Sequence, residues 1–158
     1  LVVAVSNRHL EIIGQDPGQK TGLARFTLID GEVKDWEAFE VGADGAASWL
    51  MHMLYEYRKN GVPAIVASER FIISGGTVRK ARSDRYDAIE LNGWARHLCR
   101  IYGHGFELQS AGDAKSAAPN DALREAGWWT PKTDGHALDA TRHAVLRMMH
   151  LGVNPPWV

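Results

Sequence analysis

The chain has 158 residues, of which 45% are hydrophobic and 23% charged, with a formal net charge of −1. That is the scale and composition of one globular domain, and it excludes disordered, fibrous and polycationic classes. The single cysteine, Cys99, excludes a disulfide-stapled scaffold and a cysteine-rich zinc site. No apolar run approaches the roughly 18–20 residues that cross a bilayer. A soluble cytoplasmic protein with no membrane contact is expected, one domain over 1–158 whose residues 1–9 are a disordered or truncated start.

Three β-type runs come first, at 10–14, 23–29 and 33–41. Asp30-Gly31 between the second and third is a strong short-range hairpin signal, so an antiparallel three-stranded meander is predicted. Asp16 stands just past the first run, and Pro17-Gly18-Gln19-Lys20-Thr21-Gly22 makes a tight turn into the second. A strand end of this kind aims its carboxylate off the sheet edge. After Gly42 and Gly45, a stripe of Ala47, Leu50, Met51, Leu54 and Arg58 predicts a helix that stops near Gly61.

Residues 64–68 form a short apolar run after Pro63, read as a strand buried on both faces and therefore parallel, with Glu69 at its end. Between 70 and 85, Ser74-Gly75-Gly76 and the cluster Arg79, Lys80, Arg82 and Arg85 read as a mobile basic loop able to contact phosphates. A helix over 86–102 carries two apolar sides. One has Leu91, Trp94, Leu98 and Ile101, the other Ala88, Ile89, Gly93, Ala95 and Cys99, and helices of this kind often meet a second subunit. A strand at 106–110, a short helix at 119–126 and a closing helix at 136–150 complete an α/β domain with a mixed sheet and helices on both faces.

The acids carry the chemistry. A parallel fourth strand lies beside the first, so Asp16 and Glu69 emerge at neighbouring points. On the closing helix His136, Asp139 and His143 share one face at i, i+3, i+7, opposite Leu138, Thr141, Val145, Met148 and Met149. Asp134 sits just before that helix, placed to cap its free N–H groups or to join the acids. Asp139 is taken as a ligand, with His136 or Asp134 as its helper. Carboxylates this close resist ionisation unless a divalent cation neutralises them, and hard oxygen donors suit Mg²⁺, or Mn²⁺ in its place. Two such ions about 3.5–4 Å apart serve a phosphodiester displacement. Lys115 can place positive charge on the scissile phosphate, against the plainer reading of a solvated loop lysine. Trp128-Trp129 reads as packing before base stacking.

Ile12-Ile13-Gly14-Gln15-Asp16-Pro17-Gly18 with Thr21-Gly22, Ala67-Ser68-Glu69, and Asp134-Gly135-His136-Ala137-Leu138-Asp139-Ala140 together resemble the RuvC-type Holliday-junction resolvases. Ala88-Ile89-Glu90-Leu91-Asn92-Gly93-Trp94-Ala95-Arg96 resembles that family's dimer helix. The resemblance implies an RNase H-like fold with a mixed five-stranded sheet, and a homodimeric crossover junction endodeoxyribonuclease that nicks four-way junctions, and flaps and forks as well. It implies Asp16, Glu69, Asp139 and either His136 or Asp134 at two metal ions, with Lys115 assisting. The family often places an aromatic wedge soon after the strand-end glutamate. Here Arg70-Phe71 brings Phe71 one position early, and Arg70, Phe71 and the basic cluster are the expected DNA contacts. The compact length and divergent loop suit a bacteriophage member. Two rivals stand beside this reading: an actin-like or sugar-kinase-like ATP-binding domain, for which the chain is short, and a DNA-binding module without catalysis.

Overall fold

The computed structural model describes residues 9–71 and 82–158, with the side chains of 82–85 left out. β1 (His9–Asp16), β2 (Lys20–Ile29) and β3 (Glu32–Gly42) form the meander. The hairpin between β2 and β3 turns on Asp30 and Gly31, both at positive φ (53° and 80°), the backbone that an Asp-Gly pair accepts at little cost. Helix α1 (Ala43–Lys59) leads to β4 (Ala64–Glu69), and helix α2 (Arg82–Tyr102) to β5 (Gly105–Gln109). Two short helices, α3 (Ala111–Ala117) and α4 (Asn120–Glu125), and a 3₁₀ turn at Pro131–Thr133 precede α5 (His136–His150).

The strand order is β3-β2-β1-β4-β5, with β4 and β5 parallel to β1. This is the mixed five-stranded sheet of the RNase H-like fold, helices on both faces. Side chains alternate along a strand, so Ile12 and Ile13 enter opposite cores. Ile13, Leu23 and Val66 pack under Leu50 and Leu54 of α1 and Leu91, Ala95 and Leu98 of α2. Ile12, Phe26 and Leu28 pack under Leu123, Trp128 and, from α5, Leu138, Val145 and Met148. Trp128 stands edge-on to Phe26 and Trp157, so it is core, while Trp129 lies beneath the Arg124 guanidinium.

Three expectations change. Helix α2 begins at Arg82, so Arg82 and Arg85 belong to a helix and not to a loop; Arg79 and Lys80 lie outside the described residues. The two apolar sides of α2 divide differently. Ala88, Leu91, Ala95, Leu98 and Cys99 are all buried against the sheet, and Ile89, Trp94 and Ile101 are exposed. Lys115 sits on α3, a helix missed because Ala111–Ala117 is too short to show a period; Ser110 caps it by accepting from the Asp113 N–H.

Candidate active site

The parallel strands β1, β4 and β5 end together at one sheet edge, at Asp16, Glu69 and Gln109. Gln15 pairs with Ser68, and Glu69 with Gln109. Asp16 and Glu69 therefore face the α5 side, while Gln15 and Ser68 face the α2 side. There Gln15 Nε2 donates to Ser68 Oγ (3.0 Å) and to Asn92 Oδ1 (3.2 Å). Ser68 Oγ donates to Asn92 Oδ1 (2.6 Å), and Asn92 Nδ2 to the Glu69 carbonyl (3.0 Å). This small network ties the ends of both acid-bearing strands to α2.

Two glycines let α5 come down onto the sheet. A Cβ at Gly14 would stand 1.8 Å from the Ala140 carbonyl oxygen, and one at Gly22 would stand 1.9 Å from that of His136. Helix backbone rests directly on strand backbone at both points, and this contact delivers His136 and Asp139 to Asp16. Helix α5 is not amphipathic in the expected way: Ala137, Leu138, Thr141, Arg142, His143, Val145 and Met148 are all buried, because strands and α3 cover it on several sides. His143 is thus an interior residue and not a member of a solvated polar face.

Each carboxylate meets a basic side chain. Asp16 Oδ2 lies 2.7 Å from His136 Nδ1. Glu69 Oε2 lies 3.3 Å from His143 Nε2. Asp139 Oδ1 accepts from Arg142 Nη1, and Arg142 also donates to Asn120 Oδ1 and to the Ala118 carbonyl. Among the described residues no group of three or more His, Cys, Asp or Glu side chains that could hold a metal ion is already assembled. Three residues of α5 instead take one carboxylate apiece.

The charge is not fully answered at Asp16. Burial, with Glu69 and Asp139 adding to it, pushes the Asp16 carboxyl up from 3.8 to about 6, against the opposing hydrogen bond from His136. For His136 burial favours the neutral ring, but Asp16, Glu40 and Asp139 together raise it above its ordinary value. A carboxyl held near neutrality by desolvation and neighbouring charge is a physical mark of a functional site.

Asp134 does not cap α5. Gly135 takes the N-cap position at φ 69°, and the His136 N–H donates to Glu40 Oε1 at 2.9 Å. Asp134 is exposed, at the end of the 3₁₀ turn. Glu40, two strands away on β3, was invisible in the sequence because only sheet pairing brings it near α5. Arg142 was legible in principle, three positions beyond Asp139 on the same helix. Lys115 is exposed on α3, which leaves the sheet at the acid-bearing edge. Arg70 is exposed directly after Glu69, and Phe71 is half-buried.

No protein-family model and no curated protein matches the chain. Solved structures similar to it in fold include the following two. One is "T. thermophilus RuvC in complex with Holliday junction substrate", at 14% identity and a TM-score of 0.65, covering 93% of this chain and 98% of that one. The other is "Thermus thermophilus RuvC structure", at 14% identity and a TM-score of 0.61, covering 90% and 97%. The fold is RuvC-like.

Proposed function

We propose that the chain is a metal-dependent endonuclease that resolves four-way DNA junctions and cuts other branched DNA, acting as a single-domain protomer of a homodimer. The observation that carries this reading is that Asp16 and Glu69 end the neighbouring parallel strands β1 and β4 beneath α5, which sets His136 on Asp16 and brings Asp139 near enough to raise its carboxyl, on a fold shared with a RuvC solved on a Holliday junction. Asp16, Glu69 and Asp139, with His136, are assigned as the ligands of Mg²⁺ or Mn²⁺. Asp134 is given no part. The donor set fits a hard cation by kind, and a bound cation would favour the ionised form of the Asp16 carboxyl, which burial first and then Glu69 and Asp139 disfavour. The contacts with His136, Arg142 and His143 each use one oxygen of a carboxylate that has two, so a carboxylate can keep its present partner and offer the other oxygen to metal. One or two bound ions would supply Lewis acidity to the phosphodiester and generate the attacking hydroxide at neutral pH.

The chain's own groups do the positioning. His136 holds Asp16 by one oxygen, Arg142 holds Asp139 against α5, and Glu40 secures the first turn that carries His136. Lys115 is assigned to the scissile phosphate; Arg70, Phe71, Arg79, Lys80, Arg82 and Arg85 are assigned to DNA. Neutralising Arg79, Lys80 and Arg82 together should weaken junction binding and flatten its salt dependence, because each lost phosphate contact releases fewer counter-ions. An unchanged slope of log K against log salt removes these residues from the interface.

The dimer is assigned to the exposed side of α2. Ile89, Trp94 and Ile101 are 44%, 39% and 58% exposed there, and Met51 and Tyr55 of α1 are also exposed. Leu91 is 3% exposed and belongs to the core. Ile89→Glu with Ile101→Glu should yield folded monomers by sedimentation, whereas Leu91→Glu should unfold the protein. A persistent dimer in the double variant rejects the assignment. The reading as a whole is tested by incubating the chain with junction, flap, fork and plain duplex in Mg²⁺. Branched substrates should be nicked first, and no cleavage of any of them defeats it. A reduced cytoplasmic setting belongs to the same proposal and accords with Cys99 as a buried free thiol. Among the described residues no helix is long and apolar enough to cross a membrane.

A further inference from the structure

Beside Glu69, and out of reach of any substrate, lies a buried polar pair that the proposed chemistry does not use directly. His143 of α5 is 1% exposed and Gln109 of β5 is 5% exposed. His143 Nε2 stands 3.3 Å from Glu69 Oε2, and its Nδ1 stands 2.9 Å from Gln109 Oε1. An ionised carboxylate only accepts hydrogen bonds, so the proton between the ring and Glu69 belongs to Nε2. Gln109 serves either state of the opposite nitrogen. It offers Oε1 to an Nδ1–H or, turned over, an N–H to a bare Nδ1, and its Nε2 has no other partner. The ring is thus held from behind by a group that does not dictate its charge, and its forward nitrogen is aimed at Glu69.

Burying an imidazole and an amide costs free energy that apolar residues of similar size would not. A leucine pair would fill the gap between α5 and β5 equally well. What the polar pair adds is direction. Glu69 is the last residue of β4, its side chain 30% exposed, with its backbone already tied to Asn92. Without His143, no hydrogen bond shown among the described residues would hold its carboxylate.

We propose that His143, braced by Gln109, is a positioning residue that fixes the Glu69 carboxylate in the orientation required to bind a divalent cation; this rests on the reading of Glu69 as a metal ligand. The test titrates Mn²⁺ alone into the full chain by calorimetry and, separately, measures turnover on a synthetic four-way junction in Mn²⁺. His143→Leu should weaken Mn²⁺ binding and lower kcat, each by about 10–100-fold, the usual cost of losing a group that orients a ligand. KM for the junction should not change. His143→Gln, whose amide N–H can replace the Nε2 donor, should recover most of both. Gln109→Leu, which leaves the ring in place, should show a smaller loss in the same direction.

His143→Leu with unaltered Mn²⁺ affinity overturns the proposal. So does His143→Gln falling as far as His143→Leu, since only ring volume would then matter. If His143→Leu does not fold, Gln109→Leu decides: weakened Mn²⁺ binding supports the proposal and unchanged binding overturns it. A native chain that binds Mn²⁺ in a His143-dependent way yet cuts no branched DNA defeats the nuclease reading while this inference stands. A native chain that binds no Mn²⁺ defeats the inference itself.

Discussion

Replacing Asp16 with asparagine is expected to abolish Mg²⁺-dependent cleavage of a four-way junction and, at the same time, to make the metal-free protein more stable. The loss of turnover should reach at least about 1,000-fold, roughly 4 kcal/mol of barrier, with junction binding nearly intact because the residues proposed to contact phosphates are others. The gain in stability follows from burial. Lifting the Asp16 carboxyl from 3.8 to about 6 penalises its ionised form in the folded state by roughly 3 kcal/mol at neutral pH. Because the folded value is raised, the contribution of Asp16 to stability is greatest below pH 3.8 and is lost as pH rises through about 6. An amide removes that penalty while its oxygen still accepts from His136. Melting at pH 7.5 without metal should rise by roughly 6 to 12 °C in Asp16→Asn, at about 2–4 °C per kcal/mol for a chain of this size.

Two controls sharpen the result. Mg²⁺ should raise the melting temperature of the native chain by linkage and leave that of Asp16→Asn unchanged. Cleavage by the native chain should fall away as the pH drops below about 6, where Asp16 takes up its proton between Glu69, Asp139 and His136. Full activity in Asp16→Asn rejects the site, and a lower melting temperature in the metal-free variant rejects the account of its energetics. The general point is that an acid placed for function costs the fold stability, and removing it should return some.

The second large effect is structural. Gly14→Ala and Gly22→Ala should each destabilise the protein by about 3 kcal/mol or more, since the added methyl meets helix backbone at 1.8 or 1.9 Å and backbone cannot rotate aside. The helix would have to lift off β1 and β2, carrying His136 and Asp139 away from Asp16, so any surviving protein should be inactive. Gly112→Ala is the contrasting case. Nothing lies within 4 Å of the new Cβ on α3, and relief of glycine's entropy cost should stabilise by roughly 0.5–1 kcal/mol. Denaturant melts of the three variants measure this directly. A near-neutral Gly14→Ala would show that α5 does not rest on the strand as described.

The architecture was legible because its signals are local. Asp30-Gly31, the alternation along β1 to β3, the continuous apolar run of β4 and the long period of α5 each reflect a choice made within a dozen residues. Asp16 and Glu69 were legible for the same reason, as polar residues ending apolar runs that a parallel pairing must set side by side. Lys115 was misplaced, and the start of α2 missed, because a seven-residue helix and a helix opening inside a charge cluster show no period.

By itself, then, the order of residues determined which strands pair, which acids end them, and that Asp139 and His136 ride on one helix. Only the tertiary structure decided the rest: that Glu40 secures the first turn of α5, that Gly14 and Gly22 admit helix to strand, and that His136, His143 and Arg142 each take one carboxylate. The reason is physical. A hydrogen bond between residues 96 or 120 positions apart leaves no periodicity along the chain, since it depends on where two packed elements stop and not on the propensity of either.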